Sequence, residues 1–166
     1  KSKVNATSEN GSVHAGGVCG YNNATITNCT NESEVNATSE NGSVYAGGVC
    51  GINYGTITES SNIGALTATS ENSNVNAGGV CGINSGSIIN SSNEGKLTAI
   101  SKNGNTNAGG VCGSNNTNYI ITNCFNKGEI ISEARYSYAG GLCGSNYGSI
   151  TNSTNEGALT ETSENS

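Results

Sequence analysis

Six residues, AGGVCG, begin at Ala15 and return at Ala46, Ala77 and Ala108; a fifth copy, AGGLCG, begins at Ala139. The interval is 31 residues every time. A fixed period of this length is the mark of a solenoid, in which each repeat buries its apolar face only against its neighbours. Residues 1–14 match the end of a copy. The chain is therefore a single β-solenoid repeat domain, 1–166: a partial coil 1–14, full coils 15–45, 46–76, 77–107 and 108–138, and an incomplete coil 139–166.

The repeat is β rather than helical. Helical repeats need long runs of Leu, Ala, Glu and Lys. Here the segments are short, β-branched and interrupted by Gly and Asn. TIT, LTAT and SVYAGGVCG alternate with a period of two, as strands do. Each coil offers about three such segments, separated by Asn-x-Gly turns and a Ser-Glu-Asn-Gly loop whose Asn and Gly tolerate left-handed backbone. The expected fold is all-β: a right-handed parallel β-helix with coils rising about 4.8 Å each. Copy four gains two residues before IITNC and loses two in SEARYSY, so Ala139 returns on schedule. Turns absorb such changes and stacked strands do not.

Stacking turns each repeat position into a column. Cys19, Cys50, Cys81, Cys112 and Cys143 form one. Buried Cys acts as a small hydrophobe, so packing is the expected role, with disulfide or metal binding as the alternatives. Zinc needs ligands converging on one point, which a linear ladder does not supply. Cys29 and Cys124 share a second column with Ser60, Ser91 and Ser153. Ile26, Ile57, Ile88, Ile121 and Ile150 make an apolar column, and Val35, Leu66, Leu97, Ile130 and Leu159 another. Two Asn columns are unbroken: Asn22, Asn53, Asn84, Asn115 and Asn146, then Asn31, Asn62, Asn93, Asn126 and Asn155. Stacked amides can bond donor to acceptor along the axis, a structural role. If Ala15 and Cys19 point inward, Gly16, Val18 and Gly20 point outward as a flat stripe able to receive another sheet. A bulge at the double Gly would instead turn Val18 inward.

AGGVCGYN, AGGLCGSNYGSITNSTNEGALT and their sister copies resemble the GLUG repeat, over nearly the full chain. Four copies carry Val for the family's Leu, and Cys stands where Val or Ile is usual. GLUG repeats occur in secreted and surface-anchored, adhesin-like proteins and in regions flanking IgA-cleaving metallopeptidases. The resemblance implies an extracellular or cell-surface β-rich module and no catalytic residue.

The residues point the same way. The chain has 12 acidic residues, none of them Asp, and one His. No Ser-His-Asp or Cys-His set can be assembled, and calcium-binding repeats that depend on Asp are excluded. No enzyme activity, cofactor or metal is expected. With six Lys and Arg and a net charge of −6, nucleic acid is not an expected partner. No apolar run approaches the roughly 18 residues of a transmembrane helix, so membrane insertion is not expected either. Asn10 and Asn41, in the ENGS loop, are the accessible glycosylation candidates; sequons also fall at Asn31 and Asn115, among others. The absence of an initiator Met and a signal peptide suggests a processed chain or a fragment.

The expected function is non-enzymatic: an extracellular stalk, adhesive segment or fibre unit. Its expected partner is itself, head to tail or laterally through the Gly16/Val18/Gly20 stripe, with surface glycans or a host protein as further partners. The alternative is an ice-binding protein that uses Thr-x-Thr rows (Thr25 and Thr27, Thr56 and Thr58, Thr67 and Thr69). Ser87 with Ile89, Thr98 with Ile100, and Ile131 with Glu133 interrupt those rows.

Overall fold

The computed structural model describes residues 2–164. The outermost residues of the expected domain, Lys1, Asn165 and Ser166, lie outside the described residues. The rest forms a parallel β-solenoid. Each strand pairs with its counterpart one coil away, as Leu66 does with Val35 and Leu97, and Cys81 with Cys50 and Cys112.

One coil shows the plan. Val44–Gly47, Cys50–Asn53, Thr56–Thr58, Ser61–Asn62 and Leu66–Ser70 follow one another. These strands stack into four sheets. One sheet takes both Leu66–Ser70 and Val75–Gly78, because the equivalent stretches of the next two coils run as continuous strands, Leu97–Gly109 and Ile130–Gly140.

The three segments expected per coil thus resolve into five strands, because the chain turns two corners that alternation alone does not reveal. The first corner lies inside GGVCG, at Gly48–Val49. Glycine is required there. A Cβ on Gly48 would overlap the Asn62 side chain and the carbonyl of Gly79 in the next coil. The second corner follows TIT. Asn28, Glu59, Asn90, Asn123 and Asn152 sit there with φ of 54°, 51°, 50°, 53° and 49°. Asn bears this left-handed backbone better than other residues with a Cβ. No described glycine has positive φ, so glycine serves close approach here rather than left-handed turns.

The corner at Gly48 turns the Val column inward, the second of the two orientations open to the double-Gly segment. Val49, Val80 and Val111 are fully buried, packed with Cys50, Cys81, Cys112, Ile57, Ile88 and Ile121. Gly51, Gly82 and Gly113 are buried too, and a Cβ on Gly82 would run into the backbone of Ala46 and Gly51. The reason is the bend: it breaks the alternation that would have put Val18 and Gly20 on an outer face. Val18 itself is 42% exposed, having no coil packed over its far side.

A second apolar cluster lies between the two halves of the composite sheet. Leu66, Ala68, Val75 and Ala77 belong to it, with their counterparts above and below. Burying one such Leu or Ile side chain contributes about 1.5–3 kcal/mol. Repeated coil by coil, these two narrow cores compensate for a chain that is only 33% hydrophobic.

Copy four keeps its columns as the cancelling changes require. Ile121 pairs with Ile88 and Ala139 with Ala108. The inserted residues form a turn in which Asn118 has φ 70° and the Tyr119 N–H donates to Asn116 O. The deletion falls at a register shift between Ser101 and Asn105.

Candidate functional site

The residues singled out in the sequence line up along the solenoid axis. Every neighbouring pair in the first Asn column is joined by an amide bond. Asn22 Nδ2 donates to Asn53 Oδ1 at 2.7 Å, and Asn53, Asn84 and Asn115 each donate to the next at 2.8 Å. The second column repeats this through Asn31, Asn62, Asn93, Asn126 and Asn155, at 2.8 Å in every step. The other N–H of each amide turns back to a nearby carbonyl, two residues on in most coils, as from Asn62 to Gly64 O at 2.8 Å, and four residues on at Asn115, which reaches Tyr119 O across the inserted turn. An amide carries two donors and an acceptor, so one side chain can tie its own turn and the next coil together. Asn53, Asn62, Asn84, Asn93, Asn115 and Asn126 are 0% exposed. Among the described residues no buried side-chain N or O lacks a partner.

The cysteines hold a matching order. Cys50, Cys81 and Cys112 are fully buried, while Cys19 and Cys143, in the outer coils, are half-buried. Each thiol donates to the carbonyl two residues on: Tyr21 O at 2.8 Å, Ile52 O at 3.1 Å, Ile83 O at 3.0 Å, and Ser114 O and Ser145 O at 3.1 Å. All seven cysteines are free thiols. Burial pushes the Cys81 and Cys112 thiols well above the ordinary thiol range. Cys143 is also raised, first by its neighbour Cys112 and then by burial.

The second Cys column explains its own mixture. Cys29 and Cys124 donate to Thr27 O and Thr122 O, each at 3.3 Å. Ser60, Ser91 and Ser153 make the same bond, to Thr58 O, Ile89 O and Thr151 O, at 2.8–2.9 Å. Burial raises the Cys124 thiol as well.

Further columns lie towards the surface. Asn10, Asn41, Asn72 and Asn103 form an exposed ladder with bonds of 2.9–3.1 Å. Sequence reading found Asn10 and Asn41 only as sequons; their bonding to each other was legible in the SEN triplets at 8–10, 39–41 and 70–72 and in SKN at 101–103. Asn31 and Asn115 are buried ladder members and closed to a transferase in the folded chain. Glu9, Glu40, Glu71 and Lys102 stand beside this ladder; Lys102 pairs with Glu71. His14 packs edge-on against Tyr45, ring centroids 5.2 Å apart. Thr25 with Thr56 and Thr27 with Thr58 stack in register, and then Ser87 and Ile89 follow.

These features define a parallel β-solenoid carried by axial side-chain ladders. The family model for the GLUG motif matches residues 11–36 and 136–160. The matched segments begin just before the first AGGVCG and the final AGGLCG. Comparison with curated proteins and with solved structures returned no match.

Proposed function

We propose that this solenoid is a non-enzymatic structural or adhesive module of an extracellular or cell-surface protein, serving as a stalk or fibre segment. The observation that carries the reading is the pair of buried Asn ladders, unbroken through five coils. They commit the invariant polar side chains to axial cohesion. Each added coil would extend both ladders by one amide bond per column and lengthen the body by about 4.8 Å. The resemblance to GLUG repeats supports the extracellular setting.

The two buried ladders are also polar. Their Nδ2 donates towards the C-terminal coil at every step, so a second copy added along the axis continues them only head to tail. Such a heterologous contact propagates rather than closing. Sedimentation velocity over a wide concentration range tests the association, and antibody labelling of intact source cells tests the location. Head-to-tail species growing with concentration and labelling without permeabilisation are expected. A monomer at every concentration removes self-assembly, and labelling only after permeabilisation removes the extracellular role.

A further inference from the structure

The geometry points to a metal site in the Cys19–Cys143 column: soft, two-coordinate cations held in line between thiolates of adjacent coils, loading first at the outer pairs Cys19/Cys50 and Cys112/Cys143. Among the described residues no three Cys, His, Asp or Glu side chains converge to hold an ion, so a tetrahedral centre has no ligand set. A linear centre needs only two. Two metal–thiolate bonds of about 2.3 Å end to end span about 4.6 Å. Neighbouring strands of a sheet stand about 4.8 Å apart, and the Cys residues pair in register from coil to coil. An ion can therefore enter the gap between two sulfurs without forcing the coils apart.

The surroundings select the ion. Thiolates favour soft cations. The column packs against Val49, Val80, Val111 and Ile88, which offer no counter-charge. A divalent ion with two thiolates is neutral and suits this interior; a monovalent ion leaves one negative charge to bury. The step is an exchange without electron transfer. One M²⁺ displaces the protons of two thiols, two sulfur–metal bonds form, and two H⁺ leave to water. The carbonyls of Tyr21 and Ile52, or of Ser114 and Ser145, give up the S–H donors they now accept from. Access fixes the order. Cys19 and Cys143 are half-buried, whereas Cys50, Cys81 and Cys112 are fully enclosed. Five thiols in a row then make two pairs and leave Cys81 single.

The test uses the chain with Cys29→Ser and Cys124→Ser, substitutions already present in that column as Ser60, Ser91 and Ser153. Mercuric chloride is titrated into the folded protein and followed by native mass spectrometry, thiolate-to-metal absorbance and circular dichroism. Two ions per chain, an unchanged β-sheet spectrum and a raised thermal midpoint are expected; zinc chloride at the same concentration should leave the midpoint unmoved. Cys112→Ala leaves Cys143 with no neighbouring thiol and three others in a row, so it should reduce the count to one, as should Cys50→Ala. Should either variant lose its β-sheet spectrum, Cys112→Val or Cys50→Val replaces it. No binding until the protein is denatured, loss of β-sheet on binding, or a count unaffected by both substitutions overturns the proposal.

Discussion

Taking the solenoid from about pH 7.5 to about pH 10, with a reductant present, should loosen it, because its enclosed thiols ionise only in the unfolded chain. Cys81 and Cys112 have folded pKa values well above the ordinary range, chiefly from burial. A folded pKa above the unfolded one means that the stability contribution is complete below the unfolded value. It is then lost as pH rises towards the folded value. An unfolded thiol titrates near about 8.5, and each pH unit beyond that costs about 1.4 kcal/mol. At about pH 10 each of these two thiols therefore removes about 2 kcal/mol, together about 4 kcal/mol. Cys124 and Cys143, also raised, add to the loss. Against a typical domain stability of about 5–15 kcal/mol this is a large fraction. With a urea m-value of about 2 kcal/mol/M, two thiols alone lower the unfolding midpoint by about 2 M. Urea melts at the two pH values measure it. The double variant Cys81→Ala, Cys112→Ala should lose correspondingly less on going alkaline, whatever its stability at neutral pH. A wild-type midpoint that stays level across this range, or a double variant that falls as steeply as the parent, would refute the reasoning.

Four substitutions test the scaffold. Asn93→Ala removes bonds to Gly95 O and Asn126 Oδ1 and one from Asn62. It should cost about 2–4 kcal/mol in chemical denaturation, at about 0.5–1.5 kcal/mol per bond, and the exposed Asn155→Ala clearly less. Glu59→Asn places at a left-handed corner, φ 51°, the residue that the other four coils use there. The thermal midpoint should rise, consistent with about 0.5–1 kcal/mol recovered from the strain of a left-handed residue. Gly79→Ala would drive a methyl into the Asn93 side chain and the carbonyl of Gly110. Loss of the cooperative thermal transition is expected, and a normal melt would show that the corner can yield.

Period and register belonged to the sequence alone. A 31-residue repeat in which Cys, Ile and Asn recur in phase admits only a stack. The stack then dictates that Cys81 meets Cys50 and that Asn93 meets Asn62 and Asn126. Even the interruption in copy four could be placed, since a strand cannot absorb extra residues and a turn can. Tertiary structure decided where the coil bends. Alternation shows which side of a strand a residue occupies but carries no trace of a corner inside GGVCG. That corner arises because Gly48 lets the chain pass against the Asn62 side chain of its own coil, a contact between segments far apart in the coil. It rotates Val49 from a supposed outer stripe into the core, and with it decides which face of the solenoid is open to partners. The same holds for the Asn column at the second corner. Nothing local distinguishes Asn90, held at φ 50° on the surface, from Asn93, buried three residues later in the ladder. Only closure of the coil, which turns one side chain out and the other in, separates them.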